Sequence, residues 1–141
     1  MIVADTGAIV ALVDADDRHH RPLLGLFESQ PDSWLLPWAI LPEVDYLLGA
    51  HVGARAQERF VADLASGAWA IEWGEPSDLV RAGEIARRHR ALRLGLVDTV
   101  VMAIAERRKA AAIATLDLRH FGAVTLRGHT GLLPRDLGSG E

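Results

Sequence analysis

Ile2–Gly7 reads IVADTG, a short apolar run that stops at a carboxylate followed by two small residues. The same grammar returns in AAAIATLD, Ala110–Asp117. Apolar runs without polar alternation are what strands buried on both faces look like, and such strands belong to parallel sheets covered by helices. Each acid has an ordinary reading as a cap or turn former. Two acids placed the same way at opposite ends of the chain raise the question of whether they meet.

Working outward from these stretches, Met1 to Ala4 reads as the first strand and AIVALVDA after Gly7 as a short helix. Asp14 to His20, DADDRHH, is a polar break, followed by helical spacing in RPLLGLFES with Pro22 in the first turn. SWLLPW supplies a second strand, ended by Pro37, and helices are expected over Ile40–Ala50 and Ala54–Ala65. AWAIEW is a third strand, GEPSD a turn, and Asp78–His89 a helix. After the link RALRLGL, Val97, Val100, Val101 and Ile104 fall at i, i+3, i+4 and i+7, which predicts a helix over Val97–Arg108. AAIAT is the fourth strand, LRHF a short turn and AVTL a fifth strand. Apolar strands alternating with helices predict a three-layer α/β/α sandwich around a mainly parallel sheet of four to five strands, with right-handed crossovers. In such sheets ligands bind at the carboxyl ends of the strands.

The 141 residues, half of them hydrophobic, suit one domain with a proper core, expected over 1–137, with 138–141 as a flexible tail. The absence of a leader or a long apolar run predicts a cytoplasmic protein. With no cysteine, disulfides, thiolate metal sites and cysteine nucleophiles are excluded. A net charge of -4 argues against a general polyanion binder, but Lys109 is the only lysine and the arginines gather in RRHRALR, Arg87–Arg93, and ERRK, Glu106–Lys109. Arginine presents a planar fork suited to phosphate, and solvated helix faces are the plainer account of both clusters.

Four acids lie at the expected carboxyl edge: Asp5 after the first strand, Glu43 in the first turn after the second, Asp98 at the start of the Val97 helix, and Asp117 beyond the fourth strand. Each alone serves as a cap, a partner of the helix dipole or a turn former. Together they repel one another unless a cation sits among them, and carboxylates at this density suit one or two hard cations such as Mg²⁺ or Mn²⁺. No well-placed imidazole accompanies them, which disfavours zinc. Such a centre activates water for attack on a phosphodiester, so a metal-dependent phosphodiesterase is the natural reading. No Ser-His-Asp set, P-loop or complete dinucleotide fingerprint is present.

ADTG, the isolated Glu in LPEVDYLL, LGLVDTVVMAIA and ATLDLRHF occur in order across nearly the whole chain. The set resembles the PIN-domain family, in particular the VapC-type toxins of bacterial toxin-antitoxin pairs. That resemblance implies a small α/β/α sandwich, a Mg²⁺- or Mn²⁺-dependent ribonuclease, metal-binding acids at Asp5, Glu43, Asp98 and Asp117, a homodimer, and a cognate antitoxin covering the groove. It places a hydroxyl at Thr6 near the metal or scissile phosphate and gives Thr115 an accessory role; Gly7 departs from the Asp-Thr-Ser pattern. Leu23, Leu24, Phe27, Leu47, Leu48 and Phe60 suit a partner groove or the core equally.

Other features have plainer readings. Asp14, Asp16, Asp17, His19 and His20 suit capping and solvation, and Asp45 turns about 200° from Glu43 on a helix. Trp34 and Trp69 belong to strands near the core; of Trp34, Trp38, Trp69 and Trp73, Trp38 is the candidate for an exposed base contact. The competing classes are another metal-dependent phosphoryl enzyme, a DNA nuclease or a phosphatase, and a non-catalytic PIN-like binding domain. A phosphoaspartyl phosphatase commonly carries a second Asp two positions after the first, where this chain has Gly7, and the binding domain predicts loss of an acid.

Overall fold

The computed structural model describes residues 1–137. The expected tail at 138–141 lies outside the described residues. The chain runs β1 (Ile2–Ala4), α1 (Thr6–Val13), α2 (His20–Ser29), β2 (Trp34–Pro37), α3 (Leu41–His51), α4 (Ala54–Ala65), β3 (Ala70–Glu72), α5 (Pro76–Arg88), α6 (Leu96–Arg107), β4 (Ala112–Ala114), α7 (Leu118–Phe121) and β5 (Gly131–Leu133). Every strand pairing is parallel, in the order β3-β2-β1-β4-β5. All residues of β1, β2 and β4 are buried, as their unbroken apolar sequences require. Helix α1 packs on α2 and α3, and α3 on α4; α5 packs on α6, which lies against β1 and β2. Val3, Ile9, Leu36, Val44, Ile104 and Ile113, all fully buried, mark the core between the layers.

The predicted helices and four of the predicted strands form. The fifth strand does not lie at AVTL: Ala123–Leu126 has no strand structure, and β5 forms at Gly131–Leu133, where it pairs with Ala112–Ala114. A strand on a sheet edge is fixed by its partner, and AVTL and GLLP are similarly apolar, so local sequence did not separate them. LRHF, expected as a turn, closes into a one-turn helix. Leu23, Leu48 and Phe60 are core residues, not free groove side chains. No helix is long and apolar enough to cross a membrane.

The helix starts follow local chemistry. At α5, Glu75 and Asp78 form a reciprocal capping box, with the Glu75 amide donating to Asp78 Oδ2 at 2.8 Å and Pro76 in the first turn. The preceding Gly74 has φ +86, and a Cβ there would stand 2.7 Å from Trp38 Nε1, so only glycine lets the chain turn over that indole.

The ERRK arginines are structural. Arg107 pairs with Asp78 at 2.7 Å, with Glu72, and with Glu75 at 3.6 Å, while Arg108 pairs with Glu72 at 2.9 Å. Arg81 grips both oxygens of Glu106 at 2.8 and 2.9 Å. These bonds tie α6 to α5 and β3, and they occupy guanidinium forks that the sequence left free for RNA.

Candidate active site

Strand β1 is followed on one side by β2 and on the other by β4, so the direction of winding reverses between β1 and β4. At such a switch point the loops after the two strands part and leave a crevice. Asp5 follows β1 directly, its amide donating to Ala114 O at 2.8 Å, and Asp117 lies three residues beyond β4. Glu43 sits in the first turn of α3, which follows β2, and Asp98 in the first turn of α6.

Asp5 is 6% exposed and is the N-cap of α1 by position, yet its side chain makes no capping bond. Thr115, itself 1% exposed, instead donates its hydroxyl to Asp5 Oδ2 at 2.9 Å and accepts from the Asp117 amide at 3.0 Å. One buried hydroxyl thus ties the loops after β1 and β4. Burial pushes the Asp5 carboxyl up to about 6, the charges of Asp98 and Glu43 add to the rise, and the Thr6 amide and Thr115 hydroxyl oppose it. Thr6 is 4% exposed, and its Oγ1 has no hydrogen-bond partner. A Cβ at Gly7 would lie 4.0 Å from Leu116 Cβ, so space alone does not demand glycine there.

Asp98 is half-buried, and its carboxyl is raised by burial and by Asp117, with His120 acting in the other direction. Asp117 caps α7, its Oδ1 accepting from the His120 amide at 3.1 Å. That turn brings His120 Nδ1 to 3.0 Å from Asp117 Oδ2 and 3.2 Å from Asp98 Oδ2. The expectation that no imidazole accompanies the acids is therefore corrected. The signal was the i, i+3 spacing of Asp117 and His120, which places both on one side of a helical turn.

Asp5 is electrostatically coupled to Glu43 and Asp98, and Asp98 to Asp117. Their donor set fits a divalent cation: the charges of Glu43 and Asp98 add to the rise at Asp5 and that of Asp117 to the rise at Asp98, a repulsion that a positive ion relieves, and Asp98, Asp117 and His120 each offer one donor atom within 4.8 Å of the others. The remaining candidates stand apart. Asp45 accepts from Gln57 Nε2 at 3.0 Å, and Asp14 and Asp17 accept local backbone amides. Trp34 is buried, and Trp69 and Trp38 pack against the core, whereas Trp73 is 71% exposed and takes the place expected for Trp38. Gly74 explains the exchange, because its tight turn lies over the Trp38 indole.

Ribonuclease VapC26 of Mycobacterium tuberculosis (strain ATCC 25618 / H37Rv) is 29% identical over 123 residues, spanning 87% of this chain and 91% of its own. The crystal structure of Mycobacterium tuberculosis VapC20, a Sarcin-Ricin loop cleaving toxin, superposes with a TM-score of 0.77 at 23% identity, covering 89% of this chain and 97% of that one. VapBC2 from Rickettsia felis, bound to a DNA fragment from its promoter, gives 0.69 at 15% identity over 94% and 98% of the two chains. Residues 2–125, from the first strand through the α7 turn that carries Asp117 and His120, match the PIN domain, and this chain belongs to that family.

Proposed function

We propose that the chain is a VapC-type toxin: an endoribonuclease that uses one or two Mg²⁺ or Mn²⁺ ions, held by Asp5, Glu43, Asp98 and Asp117, to hydrolyse RNA phosphodiesters. The observation that carries this reading is the buried Asp5 carboxylate, raised to about 6 and facing the charges of Glu43 and Asp98 at the switch point of the sheet. Asp5, Glu43, Asp98 and Asp117 would hold a cation there, whose chemistry would be to activate a water and to neutralise charge at a leaving oxygen. The residues do the positioning. Thr115 orients Asp5, α7 orients Asp117, and the unpartnered Thr6 hydroxyl stands ready for a phosphate oxygen or a water.

Arg87, Arg88, Arg90 and Arg93 are exposed and make no ion pair among the described residues, and they lead directly into the α6 turn that holds Asp98. They are the arginines placed to guide an RNA backbone, since phosphate contacts position without reading sequence. Converting all four to Gln is expected to weaken RNA binding and to flatten its salt dependence, by about 0.7 in log–log slope for each phosphate that the protein no longer neutralises. Binding titrations at several salt concentrations measure this; an unchanged slope removes the cluster from the RNA path.

The protein is further proposed to act in the cytoplasm as a homodimer restrained by an antitoxin. Likeness to VapBC2 from Rickettsia felis supports a partner. Tyr46, 71% exposed on α3, and Val61, 51% exposed on α4, are apolar side chains open to one. Co-expression with the neighbouring reading frame should bring that partner down with the chain, and consistent isolation alone counts against it.

Cleavage is the direct test. Partner-free protein is mixed with single-stranded RNA and with a sarcin-ricin loop hairpin, in Mg²⁺, in Mn²⁺ and in chelator, beside Asp98→Asn prepared identically. Metal-dependent cutting that falls at least about 100-fold in the variant is expected, as for loss of a group that holds the reacting centre. The variant should fold as stably as the wild type, because the Asp98 carboxyl is raised by burial and neutralising it removes a like charge. Equal activity in both proteins, or marked unfolding of the variant, overturns the assignment.

A further inference from the structure

We propose that His120 is itself a ligand of the metal centre, so that Asp98, Asp117 and His120 form a mixed nitrogen-oxygen pocket that prefers Mn²⁺, or another imidazole-binding first-row ion, to Mg²⁺. The inference rests on the metal-dependent reading above and deepens it. Two donors at right angles around one ion, each about 2.1 Å from it, lie about 3.0 Å apart. His120 Nδ1 stands 3.0 Å from Asp117 Oδ2 and 3.2 Å from Asp98 Oδ2, the spacing of neighbouring ligands on a common ion.

A second observation points the same way. Nδ1 is shut off from solvent and, despite these short distances, is aligned for a hydrogen bond with neither acid. A buried ring nitrogen that lies 3.0 and 3.2 Å from two carboxylate oxygens without good alignment to either is poorly satisfied by the protein alone, and buried polar atoms are seldom left so. The arrangement is also braced locally. Asp117 Oδ1 holds the His120 amide at 3.1 Å, which fixes the α7 turn and leaves Oδ2 free to share an ion with the ring. Imidazole suits first-row transition ions, among which Mn²⁺ binds nitrogen most weakly yet still accepts it more readily than Mg²⁺, which favours oxygen donors and water, so the nitrogen shifts selectivity away from Mg²⁺.

Metal-free full-length protein is titrated with Mn²⁺ and, separately, with Mg²⁺ by calorimetry, using wild type, His120→Ala and His120→Asn. Pulsed EPR of bound Mn²⁺ is recorded on wild type grown with ¹⁴N- and with ¹⁵N-histidine. Expected are a histidine nitrogen coupling that changes with the isotope and vanishes in both variants, a 10- to 100-fold loss of Mn²⁺ affinity, and a change of less than about threefold for Mg²⁺. The isotope comparison needs no substitution, so a variant that misfolds leaves the test intact. Mn²⁺ binding to wild type without any histidine coupling overturns the role of His120 and leaves the four-acid centre standing. Tighter binding of both metals on removing the ring also overturns it, because His120 then acts as a cation that competes for the site. No Mn²⁺ or Mg²⁺ binding to wild type overturns the metal centre itself.

Discussion

Asp5→Asn is expected to abolish RNA cleavage and, in the metal-free protein, to raise the melting temperature at neutral pH. An ordinary aspartate releases its proton near 3.8, whereas in the fold burial, assisted by Asp98 and Glu43, moves this group up to about 6. Between those values the folded state binds more protons than the unfolded one, so stability falls as pH rises through the window and stays lower above it. A shift of about two units corresponds to roughly 3 kcal/mol carried by the charged, buried carboxylate at neutral pH. Asparagine removes that charge and can still accept from Thr115. For a chain of this size the difference is a gain of roughly 6–12 °C in chelator at pH 7.5, shrinking to nothing near pH 4.

Divalent metal should reverse the ranking, because binding to the native state stabilises wild type by an amount that grows with the logarithm of ligand concentration, and the variant, which has lost one of the carboxylates, gains far less. Below pH 6, the proton on Asp5 competes with the metal and apparent affinity falls. Thermal scans of both proteins across pH 4 to 8, with and without Mn²⁺, contain the whole test. A variant that melts at or below wild type in chelator at neutral pH shows that the Asp5 charge is already compensated within the protein.

Arg107→Ala should produce the largest loss of stability of any arginine substitution in the chain. Its guanidinium donates to Asp78 Oδ1 at 2.7 Å and Oδ2 at 3.0 Å, and it also contacts Glu72. Asp78 is 3% exposed, and the Glu72 side chain 14%. Without Arg107, Asp78 keeps, among the described residues, only the Glu75 amide, and Glu72 only Arg108. Breaking a buried pair from one side costs about 3–5 kcal/mol, since the remaining charge is left without its counterion. With a quarter of the Arg107 side chain reached by solvent, the lower end, about 3 kcal/mol, is expected.

The pH signature is distinct from that of Asp5. Arg107 holds the Asp78 carboxyl below its ordinary value against the upward push of burial, so its contribution is present above the unfolded pKa and is lost as pH falls through the folded one. In Arg107→Ala that contribution is gone, and the deficit against wild type narrows on acidification. Urea unfolding at pH 7 and at about pH 3, below the ordinary aspartate value of 3.8, measures both. A deficit under about 1 kcal/mol at pH 7 places Arg107 among ordinary surface pairs and reopens it as a candidate RNA contact.

Periodicity and punctuation carried most of the fold. Val97, Val100, Val101 and Ile104 announced α6, Pro42 and Pro76 marked first turns, and the unbroken apolar runs at Ile2–Ala4 and Ala112–Ala114 announced strands covered on both faces. These signals are local, set by the backbone and by the pattern of burial within a few residues. The acids were legible for the same reason: in a parallel sheet the residue after a strand and the first turn of the next helix lie at one edge, so Asp5, Glu43 and Asp117 were placed by secondary structure alone.

What tertiary structure decided depends on partners distant in the chain. β5 formed at Gly131–Leu133 and not at Ala123–Leu126, because a strand edge is completed by whichever segment reaches it in register. Trp73 became the exposed indole because Gly74 turns over Trp38, and Arg107 was withdrawn from any RNA path by acids 29 and 35 residues away. His120 joined Asp98 only when the loop after β4 met the start of α6. The sequence by itself determined the elements, the parallel sheet and the edge on which the acids stand; the packing of those elements alone decided which charges meet there and which neutralise one another elsewhere, since a side chain's partner is chosen by proximity in space while its helix or strand is chosen by its neighbours along the chain.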